Sequence, residues 1–196
     1  MYKLLENRYI HNFVQRILLL GRKKALINTE REIREICSGN VLDIGCGTLR
    51  YAHLFEERYC GIDINLIYGK GSLSKRKPFV CGDATKLPFK DNSFDSVFSI
   101  GFFHHIGYDG AKNVFNEIIR VSKPDTTILI MDAFYPDSKL NLIGWLLCKI
   151  DRGRFMRRKE EFEKELNRHF HIICSLHIKR SYPYNLQAFV LKIPCA

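Results

Sequence analysis

Val41-Leu-Asp-Ile-Gly-Cys-Gly-Thr-Leu-Arg50 is the stretch whose reading decides the fold. Its short apolar run, Val41 to Ile44, reads as a buried strand. The run ends in a glycine turn, and Leu49 to Arg58 reads as a helix behind it. Glycines at 45 and 47 let the backbone approach a ligand where a side chain would collide. In open α/β sheets, ligands bind beyond the carboxyl ends of the strands. A glycine loop alone says little about which ligand. Asp43 says more: two residues before Gly45, its charge would repel a pyrophosphate and suits an ammonium group. That charge, and the lack of a third glycine, disfavour a nicotinamide dehydrogenase.

Working outward, Tyr59–Ile64, Pro78–Cys81, Phe94–Ile100 and Thr126–Met131 read as further strands, and Asp109–Val121 as a helix. Strands alternating with helices at this pitch predict right-handed crossovers and a parallel sheet, hence an α/β doubly wound fold. After residue 138 the rhythm lengthens. Helices are predicted over Lys139–Ile150 and Lys159–Phe170, then two strands, about 171–179 and 186–193, that can pair antiparallel. Before the first strand, Leu4, Leu5, Ile10, Phe13, Val14, Ile17 and Leu18 mark an amphipathic helix over 3–20. A second covers 29–37, with Thr29 as its cap and Ile33 and Ile36 facing inward. With 196 residues, 46% hydrophobic and 27% charged, one domain is expected.

Two more acids follow the same logic as Asp43. Asp63 lies 20 residues further on, in Tyr59-Cys-Gly-Ile-Asp-Ile64, where a carboxylate can accept both hydroxyls of a ribose. Asp83, in Cys81-Gly-Asp-Ala84, can accept from an adenine amino group while the Ala84 amide reaches a ring nitrogen. VLDIGCGT, GIDI, GDATKLPFKDNSFDSVFS and EIIRVSKPDTTILIMD resemble the successive motifs of class I S-adenosylmethionine-dependent methyltransferases. More narrowly, they resemble the small-molecule branch that includes ubiquinone and menaquinone biosynthesis methyltransferases. The resemblance implies a Rossmann-like seven-stranded sheet, order 3-2-1-4-5-7-6, with strand seven antiparallel. It implies S-adenosylmethionine as cofactor, S-adenosylhomocysteine as product, and no metal. It places Asp43, Gly45, Cys46 and Gly47 at the methionine part, Asp63 and Ile64 at the ribose, Asp83 and Ala84 at the adenine, and Ile100 beside the methionine amine. Two positions depart from the pattern: Leu49 replaces a usual glycine, and Asp125-Thr126 replaces the usual glycine after Lys123-Pro124.

The chain then divides into an N-terminal helical lid (1–39), a cofactor-binding core (40–133), an acceptor-pocket insertion (134–170) and a strand pair (171–196) within one methyltransferase domain. Methyl transfer needs an aligned acceptor, and needs a base only if that acceptor must lose a proton. His104, His105 and Asp132 are the candidates for catalysis, with Tyr135 as a further substrate contact. In the insertion, Leu142, Ile143, Trp145 and Leu146 form an apolar wall near Arg152, Arg154, Arg157 and Arg158. A small acceptor, partly apolar with an anionic group, is expected there. A formal net charge of +10 keeps nucleic acid in view as a disfavoured partner, since neither an RNA-modification motif nor an appended RNA-binding module is present. A non-catalytic relative of the fold is the third reading, on Leu49 alone. Seven cysteines without CxxC spacing are read as reduced, and no apolar run is long enough to span a bilayer. No secretory signal opens the chain, so a cytoplasmic protein is expected. Oligomeric state is left open.

Overall fold

The computed structural model describes residues 23–69, 78–150, 154–178 and 185–194. The helix predicted over 3–20, Arg152, and the basic stretch 70–77 lie outside the described residues. Seven strands form one sheet: β1 (Val41–Ile44), β2 (Tyr59–Asp63), β3 (Phe79–Cys81), β4 (Phe94–Ile100), β5 (Ser122–Phe134), β6 (His171–His177) and β7 (Asn185–Lys192). Their order is β3-β2-β1-β4-β5-β7-β6. Strands β1 to β5 run parallel, and β7 runs antiparallel to both β5 and β6. All five parallel strands therefore end on one edge. Asp43, Asp63, Asp83, Ile100 and Asp132 all come from that edge.

Helices α1 (Lys23–Ile36), α2 (Leu66–Gly69), α3 (Tyr108–Val121), α4 (Leu142–Ile150) and α5 (Lys159–Leu166) connect or flank the strands. The two faces of the sheet bury separate layers, as side-chain alternation demands. Leu42, Ile44, Val97, Ile128, Ile130 and Phe134 pack with Val114, Phe115 and Ile118 of α3 and Phe162 and Leu166 of α5. On the other face, Val41, Tyr59, Phe98, Leu129 and Met131 pack with Ile33 of α1 and with Leu49 and Ala52.

Four local expectations are corrected. Thr29 is not a cap but lies within α1, its hydroxyl on Met131 Sδ at 3.9 Å, because the helix begins at Lys23. No regular helix spans 49–58; a short 3-10 turn at Ala52–Leu54 stands there. Leu49 takes φ +59°, which breaks a right-handed helix at its first residue. Helix α5 stops at Leu166 rather than Phe170. Strand β5 runs from Ser122 to Phe134, well beyond Thr126–Met131, because β4 pairs with it from Phe94↔Ser122 and β7 as far as Phe134↔Asn185. Asp132 thus lies within β5, opposite Gln187, rather than after it.

Candidate functional site

The glycine loop is anchored from below. The Gly45 and Cys46 amides both donate to Ile62 O, at 2.9 and 3.1 Å. Gly45 and Gly47 adopt φ +72° and +50°, where L side chains are strained. A Cβ on Gly45 would strike the Phe102 ring, whereas one on Gly47 would meet nothing within 4 Å. The loop is therefore packed on one side and open at Gly47. Asp63 braces it: one carboxylate oxygen accepts from the Gly47 amide at 3.0 Å and the other from Asn65 N at 2.8 Å. Asp83 folds back on its own turn, accepting from the Thr85 amide and hydroxyl at 2.8 Å each. Ala84 is buried beside it.

Asp43 lies deeper than the other acids. It is 2% exposed and accepts a hydrogen bond from the Tyr59 hydroxyl at 2.6 Å. Burial pushes its carboxyl up to about 7; the Tyr59 bond opposes that and the charge of Asp63 adds to it. Cys46 turns its thiol inward and is buried, so its side chain is not offered to a ligand. Ile64, in contrast, is 75% exposed at the rim, with Leu66 and Ile67 also exposed nearby. Ile100 is half-buried at the end of β4.

Beyond β4 a second polar group forms. His104 Nδ1 lies 2.5 Å from Asp132 Oδ1, and the same carboxylate accepts the His104 amide at 3.2 Å and the Ala133 amide at 2.7 Å. Asp132 is 2% exposed. Burial alone would raise its pKa, but His104, then the Ala133 amide and His105, hold it below the ordinary carboxylate value. The pair is thus a fixed carboxylate against an imidazole. The His105 ring lies tilted beside that of His104, with centroids 4.0 Å apart, and His105 itself is exposed. Phe103 anchors this turn, packing at 5.0 Å on Phe115 and 5.4 Å on Phe162.

Arg157 does something other than what its sequence suggests. It is buried, and its guanidinium donates to Phe103 O at 2.7 Å and Ile106 O at 2.6 Å. Its cation also sits 4.6 Å over the Tyr108 ring. Those donors tie the His104 turn to the insertion and are not offered to an acceptor. Trp145 is likewise corrected: it stacks on Tyr135 at 4.7 Å, with Arg158 6.0 Å from its ring, so it does not share the exposed face of Leu142, Ile143 and Leu146. The sequence missed Tyr59 altogether. Its signal was a tyrosine two residues before a glycine on a strand, which puts both on one face.

A family model described as a methyltransferase domain matches residues 42–130, which span the glycine loop and all three acids. A solved S-adenosylmethionine-dependent methyltransferase from Aquifex aeolicus has the same fold, at TM-score 0.66 and 18% identity over 84% of this chain and 89% of that one. Over residues 42–130 this chain matches the methyltransferase-domain family, and its sheet has the fold of S-adenosylmethionine-dependent methyltransferases.

Among curated relatives of this chain, an uncharacterised protein of Methanocaldococcus jannaschii is 35% identical over 149 residues, 74% of this chain and 56% of that protein. Two others carry names with different acceptors. A demethylmenaquinone methyltransferase of Renibacterium salmoninarum is 34% identical over 49% of this chain and 42% of its own. A probable tRNA methyltransferase 9B of Homo sapiens is 28% identical over 64% of this chain and 29% of its own. The chain spans about half the length, or less, of the curated relatives it matches.

The residues present fit the cofactor that the family implies. The cradle is open at Gly47, carboxylates come from three adjacent strands, and an exposed isoleucine beside Asp63 offers an apolar platform. A ligand carrying an ammonium and a sulfonium suits that negative field, and a phosphate does not. Among the described residues, no group of three or more His, Cys, Asp or Glu is arranged to hold a metal. The methyltransferase departure at Leu49 is absorbed by packing: its side chain is 1% exposed, among Cys46, Ala52 and Tyr59 beneath the loop. Leu49→Gly is therefore expected to relieve about 1–2 kcal/mol of left-handed strain and to lose about 2–5 kcal/mol of buried contact. Denaturant unfolding should show net destabilisation, with affinity for S-adenosylhomocysteine unchanged. A variant that is more stable, or that binds where wild type does not, would contradict this.

Proposed function

We propose that the protein transfers a methyl group from S-adenosylmethionine to an oxygen or nitrogen of a small, partly apolar acceptor, with His104 removing the acceptor's proton. The observation that supports it best is the row of acids, Asp43, Asp63 and Asp83, on three adjacent strand ends around an open glycine loop, beside the His104–Asp132 pair. Bound S-adenosylmethionine would supply an already activated methyl group. Asp43 would answer the amino group, Asp63 the ribose hydroxyls, and Asp83 with the Ala84 amide the adenine. Ile64 and Ile100 would give apolar contact.

The chain's own contribution is alignment and proton removal. Asp132 holds Nδ1, so proton exchange with an acceptor runs through Nε2. Phe103 and Arg157 keep the histidine turn in place. The exposed faces of Leu142, Ile143 and Leu146 on α4 support an apolar acceptor body. An anionic group on that acceptor is left to Arg154 or Arg158, since Arg157 is committed to backbone carbonyls.

The test of the cofactor site is calorimetry with S-adenosylhomocysteine on wild type and Asp63→Ala. The substitution removes a charged acceptor worth about 1.5–3 kcal/mol and unties Gly47, so affinity should fall about tenfold or more. Equal affinities would remove Asp63 from the ribose.

A second reading, an RNA acceptor, is favoured by the net charge of +10 and by the tRNA methyltransferase relative. RNA binding of that kind would weaken linearly in log Kd against log salt. A tRNA transcript that accepts methyl groups, with that salt slope, would put this reading ahead.

A further inference from the structure

Beneath the glycine loop, among Val41, Cys46, Leu49 and Phe98, a buried phenol and a buried carboxyl form a pair. The β1–β2 register sets Val41 beside Tyr59 and Asp43 beside Gly61. Tyr59 and Gly61 share a face of the sheet. A Cβ at Gly61 would come within 2.8 Å of the Tyr59 hydroxyl, Cys46 Sγ and Leu49 Cδ2. The missing side chain is what allows the phenol to lie along β2 and reach across to β1. There its hydroxyl donates to Asp43 Oδ2 at 2.6 Å, with both residues almost fully buried. Neither the fold nor the methyl-transfer chemistry requires a tyrosine here; a phenylalanine would fill the same volume without a polar atom to satisfy.

We propose that Tyr59 is a positioning residue of the cofactor site, holding Asp43 under the loop so that an ammonium group settling above it drives a proton off the Asp43 carboxyl into solvent. The inference rests on the cofactor reading given under Proposed function. The Asp43 O–H bond breaks, the carboxylate keeps the electron pair, and water takes the proton. Tyr59 remains a donor to the carboxylate throughout.

The surroundings leave few other groups to take this part. Asp43 bonds to Tyr59 and feels the charge of Asp63 at the end of β2; Cys46 and Tyr51 from the segment after β1, Cys37 after α1, and Cys60 on the other face of β2 lie within electrostatic reach. Burial first, and then the Asp43 charge, push the thiols of Cys37 and Cys60 up to about 12 and about 11. Burial likewise pushes Tyr51 to about 12, and Cys46 and Tyr59 rise further still. The thiols and phenols thus stay neutral near pH 7, where Asp43 at about 7 is half-ionised.

The experiment is calorimetry of the full chain with S-adenosylhomocysteine at pH 6, 7 and 8, each in two buffers of different ionisation enthalpy. Adenosine, which lacks the amino-acid end, is the control ligand. Wild type should release a proton on binding at pH 6 and tighten about tenfold between pH 6 and pH 8, the span of a group titrating near 7. Adenosine should do neither. Tyr59→Phe removes the bond that stabilises the ionised form, so its tightening should move to higher pH. Asp43→Asn should abolish proton release. A readout free of ligand accompanies these. A raised carboxyl contributes stability that is full below its unfolded value and lost as pH rises through its folded value. Unfolding of the unliganded protein should therefore show a falling slope between about pH 4 and pH 7 that Asp43→Asn flattens. Buffer-independent heats with pH-independent affinity would overturn the inference, as would a Tyr59→Phe profile that superimposes on wild type. Failure of S-adenosylhomocysteine to bind at any pH would sink the cofactor reading itself.

Discussion

His104→Gln is expected to lower kcat by about 10²–10⁴-fold, the range that a positioned general base contributes, while leaving affinity for S-adenosylhomocysteine unchanged. The glutamine keeps a polar side chain of similar reach but cannot take a proton. His104 must be neutral to act, so at saturating S-adenosylmethionine, where the Asp43 titration no longer limits binding, the wild-type rate should rise with pH to a plateau, and the variant should lose that rising limb. Asp132 cannot be the source of the limb, since His104 and the Ala133 amide hold it below the ordinary carboxylate value despite its burial. Asp132→Asn should also fall steeply, because an amide can no longer enforce the Nδ1–H tautomer. The measurement is a pH–rate profile with an acceptor found by screening a metabolite library. A His104→Gln variant of near wild-type rate would leave the pair a structural one.

Arg157→Met is expected to destabilise the protein by about 3 kcal/mol or more, from two charge-assisted hydrogen bonds to carbonyls that lose their donors. For a domain of this size that is a fall in Tm of about 6–12 °C. The loss follows from geometry: the guanidinium spans Phe103 O and Ile106 O on either side of His104 and His105. Activity should fall with stability, through a looser His104 turn. Arg157→Lys should recover part of the stability only, since an ammonium lacks the planar fork that reaches both carbonyls. Thermal unfolding of both variants decides it; equal loss in both, or none in either, contradicts the bridging role.

The sheet was legible because its signals are local. Apolar runs ending in Gly45, Asp63 and Gly82 announce buried strands with ligand-facing ends, and the regular spacing fixes parallel crossovers. The C-terminal end of β5 was not legible, because pairing with β7, more than fifty residues away, extends it. Leu49 illustrates the same limit. Its propensity favours a helix, but burial among Cys46, Ala52 and Tyr59 holds it at φ +59° and stops one from forming. Arg157 sits in a visibly basic run, yet its role depends on carbonyls in a turn fifty residues earlier. His104 and Asp132 could each be named from the sequence; that they touch could not, because the contact requires β4 and β5 to be neighbours with a particular register.

Electron density from a crystal grown with S-adenosylhomocysteine tests the central claim most directly. The account predicts the ligand across the carboxyl ends of β1, β2 and β3, with its ribose hydroxyls on Asp63, its purine beside Asp83 and the Ala84 amide, and its thioether toward the His104–Asp132 pair. A ligand bound elsewhere, or a saturated crystal with nothing above Gly47, would contradict it.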